Sequence, residues 1–228
     1  QGITSKRGAR LVGWGDSTAT QNQPQLGGSY YLGGAFVPLG VNYAGNPVDI
    51  VAVRGNSGLR TDQIIPNFAT QVAAYTPDIV LLTVGTNDLT QGYGPEHTIN
   101  GVMTMASLCE SIGAVPIVMT IAAGGMFAAS ESLRAAWLAF NASLRSISAS
   151  RGFPLLDAAY SYIDPISPIY APLPAYSDEA VHPFNRGAQC IGRDLGVLLR
   201  GVPRRSLANP VASAANLCSN PLLTGTNG

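Results

Sequence analysis

Charged side chains are scarce in this sequence. Asp, Glu, Lys and Arg make up only 11 % of the 228 residues, and 13 basic residues balance 13 acidic ones. Proteins that bind nucleic acid or an anionic membrane surface usually carry an excess of positive charge on the binding face. The balanced charge of this chain therefore indicates neither partner.

Long apolar segments are lacking as well. No apolar run approaches the roughly 20 residues needed to span a bilayer, so no membrane span is predicted. A charged segment followed by an apolar stretch, the pattern of a secretory signal, is also missing. Because the first residue is Gln1 rather than Met, we expect a processed or trimmed chain, from which a secretion signal could have been removed.

Cysteines and cofactor motifs are few. The three cysteines, Cys109, Cys190 and Cys218, form no Cys-x-x-Cys pair, which argues against a zinc site. A Cys190–Cys218 disulfide with one free thiol and a set of three reduced thiols both fit this count. There is no Walker phosphate loop, and no third glycine follows Gly13 and Gly15 to complete a dinucleotide-binding motif. We predict no nucleotide, metal or redox cofactor.

Apolar residues make up 46 % of the chain, enough for a full core. Continuous apolar runs, typical of strands buried on both faces, occupy residues 48–53, 78–84 and 114–121. Shorter strands are predicted at 10–13 and 153–157, and amphipathic spacing predicts helices at 61–75, 95–112, 130–150 and 185–199. This alternation is typical of one α/β domain with a parallel sheet between layers of helices.

Polar motifs follow three of the predicted strands at the point where each strand ends. These motifs are Asp16-Ser17, Asn56-Ser57-Gly58 and Asn87-Asp88. In a parallel sheet the carboxyl ends of the strands meet at one edge, where ligands bind. We therefore expect these side chains to line a single site.

Only two histidines are available as a base for a serine nucleophile. His182 follows two acidic residues, Asp178 and Glu179, which could orient its ring. His97 follows Pro95-Glu96 at a predicted helix start, which favours a surface position. His182 is thus the first candidate for the base, and His97 is the reserve.

These motifs together resemble the SGNH (GDSL) hydrolases. Gly15-Asp16-Ser17 resembles the first conserved block of that family, and Asn56-Ser57-Gly58 resembles the second. Gly85-Thr86-Asn87-Asp88 matches the third block, GxND, and residues 178–182 resemble the fifth, DxxH. The four blocks occur in the family's order across about 170 residues. The resemblance implies a three-layer αβα sandwich with a central, mainly parallel, five-stranded sheet of the flavodoxin-like type.

The resemblance also implies the roles of the site residues. Ser17 would be the nucleophile and His182 the general base, while Asp16 would support the turn. The oxyanion hole would consist of the Ser17 N–H, the Gly58 N–H and the Asn87 side chain. The chain would then be a serine esterase that acts through an acyl-enzyme.

The acidic member of the triad departs from the family pattern. Three residues before His182 the family has Asp, whereas this chain has Glu179, with Asp178 one position earlier. An ungapped match assigns the role to Glu179, and a one-residue bulge would assign it to Asp178. Both assignments stay open, with a slight preference for Glu179.

The substrate is inferred from context. Members of the family include carbohydrate O-deacetylases, lipases, thioesterases and lysophospholipases. Low charge, many small residues and polar loops with tyrosines favour a short acyl group, acetyl above all, on a carbohydrate or polysaccharide. The alternatives are a lipase or thioesterase for longer acyl chains, and a non-catalytic glycan-binding module; the intact Ser17, Asn87 and His182 argue against the latter.

Residues around the motifs have two interpretations each. Trp14, Tyr30, Tyr31 and Tyr93 either pack in the core or form a platform on which a sugar stacks. Arg54 and Arg60 either contact an acidic substrate group or lie on the solvated surface, and the surface is preferred for both.

The domain boundaries and the location are predicted from composition. We place the catalytic domain at residues 1–202 and interpret residues 203–228, rich in Ser, Ala, Asn and Pro, as an extended tail or linker. The end of this tail loosely resembles joints between modules in phage tail proteins and secreted carbohydrate-active enzymes. It favours further domains in a longer chain and an extracellular or virion-associated location.

Overall fold

A computed structural model describes residues 8–22, 35–177 and 180–202. Within them, a five-stranded sheet has the order β2-β1-β3-β4-β5, and every neighbouring pair of strands is parallel. The strands are β1 Ala9–Gly15, β2 Val48–Gly55, β3 Ile79–Thr83, β4 Val115–Met119 and β5 Leu155–Leu156. This order confirms the predicted flavodoxin-like arrangement.

Helices cover the sheet in the three-layer arrangement. Two of the larger pairings join α2 to α9 and α6 to α8. The α-helices of the described residues are α1 Ser17–Thr20, α2 Phe36–Tyr43, α3 Thr61–Ile64, α4 Phe68–Gln71, α5 Thr86–Thr90, α6 Gly94–Ser111, α7 Gly125–Ala129, α8 Glu131–Arg151 and α9 Asn185–Leu199. Short 3-10 turns at Ile65–Asn67 and Ala73–Tyr75 flank α4.

The core lies along the central strands. All five residues of β3 are buried, and so are the residues of β1 from Leu11 onward. Side chains from α6 and α8, such as Met105 and Phe140, complete this core from the helical layer. Burial of a large apolar side chain stabilises the fold by about 1.5–3 kcal/mol, so the carboxyl ends of β1 and β3 are held on a rigid support.

Two predicted elements differ from the observed ones. The apolar run at 48–53 was expected to be buried on both faces, but β2 is an edge strand and Ile50 is 37 % exposed. The predicted helix at 61–75 is broken into α3, α4 and the two 3-10 turns because Pro66, which lacks a backbone N–H, sits in its middle. The helix α2 was not predicted.

Several predictions fall outside the described residues. These include the tail 203–228, Tyr30, Tyr31 and Cys218. The domain boundary at residue 202 and the choice between a disulfide and three thiols therefore stay predictions. Among residues 8–22, 35–177 and 180–202, no helix is both long and apolar enough to cross a membrane.

Candidate active site

Ser17 lies in the turn that connects β1 to α1. It is the first residue of α1, it is half-buried, and the preceding Asp16 caps that helix. The Oδ1 atom of Asp16 accepts a hydrogen bond from the Thr18 backbone N–H at 2.9 Å. The Asp16 N–H donates to the Thr83 carbonyl at 3.0 Å, which fastens the turn to β3. Ser17 is thus presented at the carboxyl edge of the two central strands.

Gly15 allows this close approach of β1 to β3. A Cβ atom at position 15 would lie 2.1 Å from the Thr83 carbonyl oxygen and 2.4 Å from its Oγ1. Contacts that short cannot be accommodated against backbone. The first glycine of the Gly-Asp-Ser motif is therefore required by the packing of the two strands.

His182 reaches Ser17 from a distant part of the chain. Its Nε2 atom lies 2.9 Å from Ser17 Oγ, although 165 positions separate the two residues. This distance is that of a hydrogen bond and lies within the range over which a general base takes a proton. The two side chains predicted from sequence to work together are therefore in direct contact.

The loop that carries His182 is fixed at both ends. The Ser177 hydroxyl donates to the His182 carbonyl at 2.9 Å, and the Phe184 N–H donates to the Tyr176 carbonyl at 2.9 Å. The Met126 N–H binds the Ala180 carbonyl at 3.0 Å. These bonds hold the imidazole in place against Ser17. Asp178 and Glu179 belong to this loop but lie outside the described residues, so the choice of the acid stays open.

The Gly58 turn is attached to the nucleophile turn through Asn56. The backbone N–H and the side-chain Nδ2 of Asn56 both donate to the Gly15 carbonyl, at 2.8 and 3.0 Å. The amide of Asn56 also pairs reciprocally with the amide of Gln71, at 3.0 and 2.9 Å. Gly58 itself has a φ of +77°, in the left-handed region that glycine adopts without strain.

Trp14 takes part in the same network and is not a sugar platform. It is fully buried, and its Nε1 donates to Gln71 Oε1 at 2.9 Å. Of the two interpretations, core packing is therefore the correct one for Trp14. Sequence reasoning missed Gln71 altogether, because nothing in the sequence around position 71 marks it as a partner of Asn56 and Trp14.

Asn87 and Asp88 join the third segment to the second. The Nδ2 atom of Asn87 donates to the Leu59 carbonyl at 3.0 Å. The buried carboxylate of Asp88 accepts from the Thr61 hydroxyl at 2.6 Å and from the Thr61 N–H at 3.1 Å. The three motifs that follow β1, β2 and β3 are thus linked to one another at a single edge of the sheet.

A pocket opens beside Ser17 and His182. It is small and partly open to solvent, and it lies between the ends of β3 and β4 and the segments next to the two side chains. Four of its lining residues are threonines, and the others are small or apolar. The lining residues are Thr18, Thr83, Val84, Thr86, Met119, Thr120, Ile121, Ala122, Val181 and Pro183.

The remaining candidates have other partners. His97 is directed at Asp88, with 3.7 Å between Nε2 and Oδ1, and its ring packs 4.9 Å from that of Tyr93. Arg60 forms an ion pair with Asp62 at 3.0 Å and lies over the Tyr93 ring at 4.2 Å.

One group of side chains has the composition of a metal site. Its potential ligand atoms, from Asp62, Asp88 and His97, lie within 4.8 Å of one another. The positive charge of the Arg60 guanidinium, which is hydrogen-bonded to Asp62, opposes the binding of a metal ion there.

Arg54 lies on the surface, as preferred from the sequence. It is exposed, donates a hydrogen bond to the Tyr75 hydroxyl and lies over the Tyr75 ring. Its guanidinium is therefore engaged by its own chain.

Burial raises the pKa of Asp16 from 3.8 to about 6, against the opposing effect of hydrogen bonds from Thr18. The side chain is 1 % exposed, and within the described part of the chain its Oδ2 atom accepts no hydrogen bond. A carboxyl group with a higher pKa in the folded protein binds its proton more tightly there than when unfolded. The free energy of unfolding therefore falls as pH rises through this interval, by about 3 kcal/mol for a shift of this size.

The variant Asp16→Asn isolates this effect. The amide of the variant keeps an oxygen that can cap α1 but has no proton to lose in this pH range. The free energy of unfolding of the variant should therefore lack the decrease that ionisation of Asp16 causes in the wild type. We expect the wild type to lose about 2 kcal/mol relative to the variant between about pH 4 and about pH 7. Urea unfolding of both proteins across this range measures the difference. Parallel stability curves would contradict the raised pKa.

Comparison with known families is consistent with this geometry. A sequence profile of the GDSL-like Lipase/Acylhydrolase family matches residues 13–190. The match spans most of the chain, and the protein therefore belongs to this family of ester-hydrolysing enzymes. A comparison with curated protein sequences gave no match.

Solved structures of similar fold include several esterases. A catalytic mutant of an acetylxylan esterase from Geobacillus stearothermophilus shares 18 % identity and a TM-score of 0.64, over 86 % of this chain and 96 % of that one. A GDSL-like lipase from Bacteroides thetaiotaomicron shares 18 % identity and a TM-score of 0.62, over 81 % and 84 %. At this identity the similarity demonstrates the fold, which is the one that the sequence predicted.

Proposed function

We propose that this enzyme hydrolyses short-chain esters, acetyl esters of carbohydrates above all, through an acyl-enzyme on Ser17. The observation that supports this proposal most strongly is the 2.9 Å contact between Ser17 Oγ and His182 Nε2 at the carboxyl edge of the sheet. A serine hydroxyl is a weak nucleophile until a neighbouring base can accept its proton. In the proposed mechanism His182 is that base.

The proposed reaction has two stages. In the first, His182 takes the proton of Ser17 as Oγ attacks the ester carbonyl, and a tetrahedral oxyanion forms. The alcohol then leaves with the proton held by His182, and the acyl group remains on Oγ. In the second stage His182 takes a proton from water, the hydroxide adds to the acyl carbon, and the carboxylic acid departs as Ser17 regains its proton.

The oxyanion is proposed to bind the Ser17 N–H, the Gly58 N–H and the Asn87 side chain. An Asn amide carries two N–H bonds, and the Leu59 carbonyl uses one of them. In the proposed mechanism the other N–H donates to the developing negative charge. Glu179, or alternatively Asp178, is proposed to accept a hydrogen bond from the second ring nitrogen of His182 and so to fix its orientation.

The size and polarity of the pocket favour a short acyl group. A long acyl chain would require an extended apolar channel, whereas this pocket is small and four of its ten lining residues are threonines. A structural relative is described as an acetylxylan esterase, which agrees with an acetylated carbohydrate as substrate. The alternatives are a lipase or thioesterase for longer chains and a glycan-binding module without activity.

Chain-length preference tests the substrate proposal. We expect kcat/KM for p-nitrophenyl acetate to exceed that for p-nitrophenyl decanoate by about tenfold or more, because a small pocket with a partly polar lining favours the acetyl group over a long apolar chain. Both rates are measured by release of p-nitrophenol, with Ser17→Ala as the blank for spontaneous hydrolysis. A preference for decanoate would favour the lipase or thioesterase. Turnover of neither ester above the blank would favour the binding module.

A panel of acetylated glycans then identifies the alcohol part of the substrate. Release of acetate from one polysaccharide and not from the others would identify the substrate.

We also propose that residues 1–202 form the catalytic domain and that residues 203–228 link it to further domains. The protein is proposed to act outside the cell or on a virion.

A further inference from the structure

We propose that Tyr160 and Tyr170 form a surface beside the catalytic pocket on which a sugar ring of the substrate stacks. This inference rests on the proposed function, in which the substrate is an acetylated carbohydrate. The two side chains are 49 % and 38 % exposed, and their ring centroids lie 6.4 Å apart. Tyrosine rings exposed in this way offer a flat apolar surface that ends in a hydroxyl group.

Both tyrosines are connected to the catalytic pocket through Trp137. Tyr160 lies in the turn that follows β5, at the carboxyl edge of the sheet. The ring of Trp137 contacts those of Tyr160 and Tyr170, with centroid distances of 6.1 and 6.0 Å. Its Nε1 donates to the carbonyl of Ile121, a residue that lines the pocket, at 2.8 Å. One tryptophan side chain therefore separates the pocket wall from the two tyrosines, a span that a short sugar chain covers.

A second chain of contacts joins Tyr160 to the pocket. Thr120 lines the pocket, and its hydroxyl donates to Asp157 Oδ1 at 3.0 Å. Asp157 accepts two hydrogen bonds from the Arg145 guanidinium, at 2.7 and 2.8 Å. That guanidinium lies over the Tyr160 ring, 4.8 Å from its centroid. Because Asp157 balances the charge of Arg145 behind the ring, this surface favours a neutral occupant, as an acetylated glycan is, over a charged one.

The backbone of Tyr170 has a conformation that bulky side chains rarely adopt. Its φ is +58°, in the left-handed region. The surrounding loop imposes this conformation, since the Ala171 N–H donates to Ser167 Oγ at 3.0 Å and the Ala171 carbonyl accepts from the Asp164 N–H at 2.9 Å. Residues held in such regions against their local preference cluster at ligand-binding sites. The loop therefore fixes the Tyr170 ring in place at the cost of backbone strain.

A sugar ring matches the chemistry of this surface. One face of a pyranose consists largely of C–H groups, which pack on an aromatic ring, and its hydroxyl groups need polar partners at the rim. The competing occupant is a long acyl chain, because Ile166 and Ile169 of the same loop are also exposed. Attraction between apolar groups has no directional preference, so an acyl chain would accept any apolar side chain of similar size in place of a flat ring.

Variants at position 160 test the proposal with partly acetylated xylan and partly acetylated glucomannan as substrates. We expect Tyr160→Ala to raise KM about fivefold for the polysaccharide that the wild type deacetylates, with kcat changed less than about twofold, because stacking binds ground state and transition state equally. Tyr160→Phe should keep KM within about twofold of the wild-type value, whereas Tyr160→Leu should behave like Tyr160→Ala. For p-nitrophenyl acetate, which carries no sugar, kcat/KM should stay within about twofold in each variant.

Tyr43→Ala is the matched control. It removes a tyrosine of similar exposure, 41 %, from the end of α2, which lies just before the start of β2 and so at the amino edge of the sheet. This variant should keep the wild-type KM for the polysaccharide. Electrophoresis in gels that contain the polysaccharide measures binding without turnover, and Ser17→Ala should be retarded more than Ser17→Ala combined with Tyr160→Ala.

Four results would overturn the proposal. The first is an unchanged KM with unchanged retardation in Tyr160→Ala. The second is a wild-type KM in Tyr160→Leu, since the surface would then require only an apolar side chain. The third is a lowered melting temperature with equal losses on both kinds of substrate, which would make Tyr160 purely structural. The fourth is acetate release from neither polysaccharide by a wild type that hydrolyses p-nitrophenyl acetate. Failure of the proposed function would be seen separately, as hydrolysis of p-nitrophenyl acetate that survives in Ser17→Ala.

Discussion

His182→Ala is expected to lower kcat for p-nitrophenyl acetate by about 10⁵- to 10⁶-fold. The Nε2 atom of His182 is within hydrogen-bonding distance of Ser17 Oγ, at 2.9 Å. Without the imidazole the Ser17 proton has no acceptor of suitable basicity, and the leaving alcohol has no donor. Single-turnover and steady-state release of p-nitrophenol measure the loss.

The second histidine provides the matched control for this experiment. His97 faces Asp88, and its Nε2 lies 3.7 Å from the Asp88 carboxylate. We expect His97→Ala to keep kcat within about threefold of the wild-type value, because a group outside the reacting atoms leaves the transition state nearly unchanged. Circular dichroism of both variants verifies that they fold. A large loss in His97→Ala, together with activity in His182→Ala, would reassign the base.

The site could be predicted from the sequence because topology brings its parts together. Ser17, Gly58 and Asn87 each follow a strand, and parallel strands place their carboxyl ends at one edge. That the three segments share one edge therefore required no knowledge of side-chain packing. The position of His182 followed from a different argument, since the chain contains only one other histidine.

The supports of the site could not be predicted in this way. Gln71 and Gln91 hydrogen-bond to Asn56 and Gly58 across 15 and 33 positions. Such bonds depend on how α4 and the end of α5 pack against the turns, and no local pattern encodes that packing. An exposed glutamine has the same appearance in sequence whether it contacts a turn or faces solvent.

The fold shows the same division between local and long-range information. Helix α9, Asn185–Leu199, coincides with its predicted range because apolar spacing alone defines it. By contrast, the run at 48–53 has the composition of a central strand, and only its place at the edge of the sheet exposes Ile50. Strand order is a tertiary property, which hydrophobic runs do not specify.

A pair of substitutions identifies the acid that orients His182. We expect Glu179→Ala to lower kcat by about 10⁴-fold, because the imidazole would lose the partner that selects its tautomer and stabilises its charged form. Asp178→Ala should lower kcat by less than about tenfold. Both are measured with p-nitrophenyl acetate under the conditions used for His182→Ala.

The loop around these two residues makes the comparison informative. Ser177 bonds to the His182 carbonyl, and Met126 bonds to Ala180, so the segments on both sides of the pair keep their own anchors in either variant. A loss of activity therefore reports on the carboxylate that was removed and not on displacement of His182. Glu179→Gln, which preserves length but removes charge, should behave like Glu179→Ala if charge stabilisation of the imidazolium is what matters. The reverse ranking, with the large loss in Asp178→Ala, would assign the acid to Asp178 and would indicate a one-residue bulge in this loop.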